Sequence, residues 1–136
     1  MKLIICVDDR GGMAFNKRRV SRDKDMVLDA SEYIGDSTLF LQSYSAELFS
    51  ESGLNIIVSE NSLKFADEDD FVFLERENPV PYMSAAKEIV LYKWNRRYPF
   101  DVKMEKNPIE LGFKLESVFE FKGNAHDKIT REVYRK

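Results

Sequence analysis

The sequence predicts an α/β fold, in which a mixed, mainly parallel sheet is flanked by helices and ends in an antiparallel C-terminal strand pair. Apolar, β-branched segments alternate with helical patterns through most of the chain, which is typical of parallel strands joined by crossover connections. Near the C-terminus, two strand-like segments are joined by a turn that is too short for a parallel connection. The length of 136 residues predicts a single domain over residues 1–136.

The first strand and the first helix have the clearest patterns. Residues 2–7 (KLIICV) form a continuous apolar run, as expected for a strand that is covered on both faces. Over residues 23–34, apolar side chains recur at helical spacing behind acidic residues that suit a helix N-terminus, and Gly35 ends the helix. The other elements predicted for the parallel part are strands over residues 37–42, 54–59, 71–75 and 88–94 and short helices over 43–49, with Ser43 as its N-cap, and 79–86.

The C-terminal strand pair is predicted from residues 112–121 (GFKLESVFEF) and 128–134 (KITREVY). Both segments show partial alternation of apolar and polar side chains. The residues between them include the turn-forming sequence Lys-Gly-Asn-Ala at 122–125. We therefore expect the last strand to run antiparallel to the strand before it.

The composition favours a globular protein and limits its partners. The chain is 43% hydrophobic and 33% charged, which separates it from disordered and collagen-like proteins. The net charge of -3 gives no overall attraction to nucleic acid, so nucleic-acid binding is not expected. The basic residues at 17–24 are interpreted as a solvated charge run, with anion binding as the alternative.

The cysteine and histidine content excludes several kinds of site. Cys6 is the only cysteine and lies in an apolar strand, so we expect it to pack in the core without a disulfide. His126 is the only histidine, which leaves too few ligands for a zinc site, and no metal is predicted. We expect His126 to be exposed in a turn, and no Gly-x-Ser-x-Gly sequence supports a Ser-His-Asp nucleophile.

The N-terminal sequence and the lengths of the apolar runs predict the location. The chain begins its first strand at Lys2 and lacks the long apolar region of a signal peptide. No apolar run approaches the length that spans a bilayer, so no membrane interaction is predicted. A cytoplasmic protein is expected.

In their order and spacing, the predicted elements resemble the dihydrofolate reductase family. The resemblance rests on LIICVDDRGGMAFN, LFLQSYSAELF, LNIIVSEN, AAKEIVLYKW and FKLESVFEFKGNAHDKITREVYRK. It implies a mainly parallel sheet that is closed by an antiparallel C-terminal strand. It also implies that this chain is a divergent, shortened relative of enzymes that use NADPH to reduce a pterin-like small molecule.

The resemblance suggests a catalytic carboxylate at the start of the first helix, where the family binds the pterin ring. Asp25 lies closest to that place, with Asp23 as the rival. Tyr92 offers a hydroxyl where the family often has a threonine that faces the carboxylate. The alternative is that the carboxylate only caps the helix or interacts with the helix dipole.

For the cofactor, the resemblance assigns Gly12, Met13 and Asn16 to the loop over the nicotinamide. Ser43 and Ser45 stand where the family holds the cofactor phosphates with an arginine and a threonine. The arginine is absent, as is the glycine pair that approaches the pyrophosphate. The sequence therefore predicts weak NADPH binding or none.

Three classes of function remain open from the sequence. The first is a nicotinamide-dependent reductase of a pterin-like molecule. The second is a non-catalytic protein that binds a small molecule on the same scaffold. The third uses the sheet to bind a macromolecular partner, and the sequence does not predict an oligomeric state.

Overall fold

The computed structural model describes residues 1–136 and contains ten strands and four short or medium α-helices. The strands are β1 (Lys2–Val7), β2 (Gly12–Phe15), β3 (Arg18–Arg19), β4 (Thr38–Leu41), β5 (Asn55–Val58), β6 (Phe71–Leu74), β7 (Glu88–Lys93), β8 (Val102–Lys103), β9 (Lys114–Phe121) and β10 (Ile129–Arg135). The helices are α1 (Lys24–Ile34), α2 (Ser43–Ala46), α3 (Ser62–Phe65) and α4 (Val80–Met83), with 3-10 turns at Glu47–Phe49 and Ile109–Leu111.

Seven strands form the main sheet, in the order β5-β4-β6-β1-β7-β10-β9. The five strands from β5 to β7 are parallel, because each connection between them crosses over the sheet. Strand β10 is antiparallel to both β7 and β9. The predicted mixed, mainly parallel sheet with an antiparallel C-terminal pair is confirmed.

Helices cover both faces of this sheet, and two apolar layers result. Ile4 of β1 packs on one face in a cluster with Met26 of α1. Leu3 and Ile5 point to the opposite face and share a cluster with Met83 of α4, as the alternation of side chains along a strand requires. No helix of the protein has the length and hydrophobicity needed to cross a lipid bilayer.

A second, three-stranded sheet has the order β3-β2-β8 and was not predicted. Strands β3 and β8 have two residues each, which is too short for any periodic pattern to be visible. The four-residue helix α3 was missed for the same reason. Ser43 is the first residue of α2 and Gln42 is its N-cap, so the predicted cap is wrong by one position.

The topology opens a crevice at the carboxyl ends of β1 and β6. From β1 the chain continues into α1 on one face, whereas from β6 it continues into α4 on the other face. When the connections from two adjacent parallel strands leave towards opposite faces of the sheet, the connecting segments diverge and leave a crevice at the carboxyl ends of those strands. Ligands of open α/β sheets bind in such a crevice. This crevice is where the sequence-predicted cofactor residues should be sought.

Candidate functional site

An ion pair between Arg19 and Glu75 lies at the carboxyl end of β6, where the topology predicts the crevice. Glu75 follows the last residue of β6, and Arg19 reaches it from β3. The pair is bidentate, with Arg19 Nε 2.6 Å from Oε1 and Arg19 Nη2 3.0 Å from Oε2 of Glu75. The side chains are only 13% and 7% exposed. Ser45 of α2 donates its hydroxyl proton to Oε2 at 2.6 Å, so both carboxylate oxygens are engaged.

Aromatic stacking and burial reinforce this ion pair. Two guanidinium groups lie over the ring of Tyr44, with Arg19 Cζ 4.5 Å and Arg76 Cζ 3.9 Å from its centroid. Burial lowers the pKa of Arg19, but the hydrogen bond and charge of Glu75, together with the nearby Tyr44 and Glu47, outweigh it, and the net change is upward. Burial, and then the charge of Glu75, raise the pKa of the neighbouring Cys6 thiol, which therefore stays protonated.

A second carboxylate occupies the N-terminus of α2. The Ser43 backbone N–H donates to Oε1 of Glu60 at 2.9 Å, and the Ser43 hydroxyl donates to the same oxygen. These bonds lower the pKa of Glu60, which therefore remains an anion. Of the two serines predicted to hold cofactor phosphates, Ser43 thus bonds Glu60 and Ser45 bonds Glu75.

The residues predicted to lie over a nicotinamide belong to one hairpin of the small sheet. The Gly12 N–H donates to Oδ1 of Asp8 at 2.7 Å, and a Cβ on Gly12 would lie 2.5 Å from the ring of Phe100. Met13 is buried in the cluster on the α4 face. Asn16 has a φ of 51° in the turn between β2 and β3, and its side chain is exposed. The close approach of Phe100 therefore explains why position 12 is a glycine.

The structure does not pair Asp25 with Tyr92. The Tyr92 hydroxyl donates to Oδ2 of Asp29 at 2.7 Å, and Arg131 Nη1 lies 2.9 Å from both oxygens of Asp29. Burial, and then the bond to Asp29, raise the pKa of Tyr92, which therefore stays a hydrogen-bond donor. Asp29 lies one helical turn after Asp25 on the same face of α1, and this spacing is the sequence signal that could have identified it.

An open groove, here called the α1 groove, runs between α1 and the 3-10 turn at Glu47–Phe49. Its volume is about 480 Å³. Val27, Leu28 and Leu48 supply apolar surface, while cationic, acidic and hydroxyl side chains also line it. Arg22 and Glu47 approach each other to 3.6 Å in an exposed pair. No group of three or more His, Cys, Asp or Glu side chains is placed to hold a metal ion.

The whole-chain architecture matches a solved structure. Dihydrofolate reductase from Enterococcus faecalis, complexed with NADP(H) and RAB-propyl, superposes with a TM-score of 0.68 at 11% sequence identity. The match covers 98% of this chain and 94% of that chain. This chain has the dihydrofolate reductase fold. No family model matches the sequence, and no curated protein matches it. The fold that the sequence resemblance implied is thus confirmed.

Within this dihydrofolate reductase fold, Asp23 joins the start of α1 to the turn between β9 and β10. A Cβ on Gly123 would lie 2.2 Å from Oδ2 of Asp23, so only glycine permits this approach. Burial raises the pKa of Asp23, but its hydrogen bonds lower it more, and the carboxylate is ionised. Asp23 accepts five hydrogen bonds of 2.8–3.4 Å, from the backbone N–H groups of Asp25, Met26, Asn124 and Ala125 and from Nδ1 of His126.

His126 is buried, and the expectation of an exposed turn histidine is wrong. Because a carboxylate only accepts, we assign the ring proton to Nδ1, which lies 2.8 Å from Asp23. The other ring nitrogen, Nε2, lies 2.9 Å from the Ser21 hydroxyl and 3.0 Å from the Tyr98 hydroxyl. Trp94 stacks on the ring at a centroid distance of 4.6 Å. A local pattern could not show this burial, because Asp23 and His126 are 103 residues apart.

The Ser21, His126 and Asp23 side chains have the order of a nucleophilic triad, but the surroundings favour a structural role. Tyr98 competes with Ser21 for the one acceptor nitrogen of the imidazole. The first amides of α1, which would be the nearest donors for an oxyanion, are already bound to Asp23. The histidine side chain is 1% exposed, which leaves no room for a substrate beside it.

We predict that Asp23→Ala destabilises the protein far more than Asp25→Ala. Removing Asp23 leaves buried N–H groups and His126 without their acceptor, which should cost about 3–5 kcal/mol. Removing the half-buried Asp25 loses only a favourable charge near the helix N-terminus, worth about 1 kcal/mol or less. Urea unfolding of the two variants and the natural chain measures both values, and equal effects would contradict this account of Asp23.

The pH dependence of unfolding provides an independent control on the same residue. A carboxylate with a depressed pKa in the folded state stabilises the protein above its unfolded pKa of about 4 and loses that effect as the pH falls further. The natural chain and Asp25→Ala should therefore lose stability below that pH. Asp23→Asn should lose less over the same interval, because its amide does not titrate.

Proposed function

We propose that this protein binds a small organic molecule on a dihydrofolate reductase-like scaffold and does not catalyse nicotinamide-dependent reduction. The observation that carries the proposal is the occupation of the crevice by the buried ion pair of Arg19 and Glu75. A cytoplasmic location, suggested by the sequence, is part of the same proposal.

The charges around α2 argue against tight binding of a nucleotide cofactor. Glu60 and Glu75 bring two carboxylates to the two serines that would otherwise face cofactor phosphates. Their negative charges would repel those phosphates at short range. Displacing Glu75 from Arg19 would leave a buried charge without its partner, at a cost of about 3–5 kcal/mol.

The α1 groove is the candidate ligand site, since it is open while the crevice is filled. Its apolar side chains, Val27, Leu28 and Leu48, suit the faces of a flat ring. Cationic and anionic groups at its rim, including Arg22 and Glu47, suit a molecule with both donors and acceptors. A pterin-like heterocycle has this chemistry, and it is the class of ligand proposed.

The second candidate function is an NADPH-dependent reductase of a pterin-like molecule. It is favoured by the near-complete superposition on a reductase that was solved with NADP(H). In this proposal Asp25 and Tyr92 would be the proton-handling pair, and the two would have to come together on substrate binding. Cofactor contacts would come from the hairpin and α2 residues, Gly12, Met13, Asn16, Ser43 and Ser45.

Ligand binding in the α1 groove predicts a thermal shift that one groove substitution removes. Saturation at one hundred times Kd stabilises the native state by about 2.7 kcal/mol, which raises the Tm of a domain of this size by roughly 10 °C. Pterin or dihydrofolate should raise the Tm of the natural chain. Leu28→Arg should abolish the shift, because Leu28 is 56% exposed in the groove and the substitution blocks it without disturbing the core.

The matched control is Ile109→Arg, which introduces the same charge at a residue that is 60% exposed outside the groove. This variant should keep the full thermal shift. An absence of any shift with pterin or dihydrofolate in the natural chain would overturn the assignment of the ligand class. A rise in Tm that persists in Leu28→Arg would show that the ligand binds outside the α1 groove.

For catalysis, we predict no dihydrofolate-dependent oxidation of NADPH above the rate without protein. The absorbance of NADPH, followed over the pH range in which a carboxylate and a pterin exchange protons, measures this directly. Turnover that Asp25→Asn abolishes would contradict the proposal and establish the reductase. Turnover that survives Asp25→Asn but not Asp29→Asn would instead assign the proton transfer to the carboxylate that contacts Tyr92.

A further inference from the structure

Strand β9 forms an unusually long and open edge of the main sheet. It has eight residues, and only β10 pairs with it. Residues 114–120 are all exposed, including Val118 at 52% and Phe119 at 48%. Natural edge strands are commonly short, covered or interrupted, because free backbone N–H and C=O groups recruit another strand. From Ser117 to Phe121 this edge is regular, uncovered and carries apolar side chains.

The pairing with β10 determines which side chains share a face. Phe119 pairs with Arg131 and Phe121 pairs with Ile129, so both phenylalanines lie on the face that α1 covers. Val118 pairs with Glu132 on the opposite face. The register shifts beyond Ser117, so regular alternation along β9 holds only from there towards the turn.

We propose that β9 pairs with β9 of a second copy of this chain, antiparallel, around a twofold axis at Phe119. The two main sheets then join into one continuous sheet, and the free hydrogen-bonding groups of both edges are satisfied. This proposal is independent of the proposed function, since neither the crevice nor the α1 groove contributes to the interface.

The sequence of β9 is complementary to itself in this register. Phe119 lies opposite Phe119 of the second copy, and Phe121 lies opposite Ser117. On the other face, Val118 lies opposite Glu120. At each end, Glu116, the residue at the register shift, comes next to Lys122 of the second copy, just past the end of β9, so unlike charges meet twice.

The neighbouring registers are worse for definite reasons. A twofold axis at Val118 would place Lys114 opposite Lys122 and Glu116 opposite Glu120, which are like charges. An axis at Ser117 would place Leu115 opposite Phe119. Those two side chains lie on different faces, because Leu115 pairs with Tyr134 beyond the register shift.

Existing contacts hold the aromatic part of this surface in place. The rings of Phe119 and Phe121 stack at a centroid distance of 5.8 Å, and Arg131 Cζ lies 5.1 Å from the Phe119 ring. Arg131 is itself bonded to Asp29 of α1. The pairing would therefore bring four ordered phenylalanine rings together on the α1 face, with little loss of side-chain freedom.

Sedimentation equilibrium of the full chain at about 100 μM tests the proposal, with a predicted mass twice the 15.9 kDa of one chain. Phe119→Lys should give a monomer with an unchanged circular dichroism spectrum, because it opposes two positive charges at the axis. Phe65→Lys is the matched control, since Phe65 is 57% exposed and belongs to α3, which contacts β4 near the opposite edge of the sheet from β9. This variant should remain dimeric.

A charge exchange tests the register itself. Glu116→Lys should weaken the dimer at least tenfold, because both end pairs become like-charged, and Glu116→Lys with Lys122→Glu should restore it. A monomeric natural chain, a larger open assembly, or a dimer that tolerates Phe119→Lys would overturn the proposal. A double variant that fails to restore the dimer would overturn the register.

Discussion

The bidentate ion pair between Arg19 and Glu75 is the interaction on which the functional account depends. It joins the small sheet to the carboxyl end of β6, and it lies where the topology of the main sheet predicts a ligand crevice. The basic loop after the first strand therefore serves an anion of the chain itself. The proposed ligand site therefore lies away from this ion pair, in the α1 groove.

Asp23 has the corresponding role for the fold. Its carboxylate caps α1 and also binds the turn between β9 and β10 through His126 and two backbone amides. The antiparallel end of the sheet is thereby held against the first helix. The sequence offered both Asp23 and Asp25 as the carboxylate at the start of α1, and the structure gives them different surroundings. The buried Asp23 makes the structural contacts, whereas the side chain of the half-buried Asp25 makes none of them.

The fold was largely predictable because its main elements have local patterns. The strands β1, β6 and β7 are continuous apolar runs, as burial on both faces requires, and α1 was predicted to within one residue. The site was less predictable because its decisive contacts are long-range. Arg19 and Glu75 are 56 residues apart, and nothing in either segment alone indicates the pairing.

Calorimetric titration of NADPH into the full chain reports directly on the region around Arg19 and Glu75, and it does not require turnover. We expect no saturable heat up to millimolar cofactor, because Glu60 and Glu75 already engage Ser43, Ser45 and Arg19. A Kd of about 1 μM or lower, equivalent to about -8 kcal/mol, would contradict it, because the ion pair would then have to open for the cofactor.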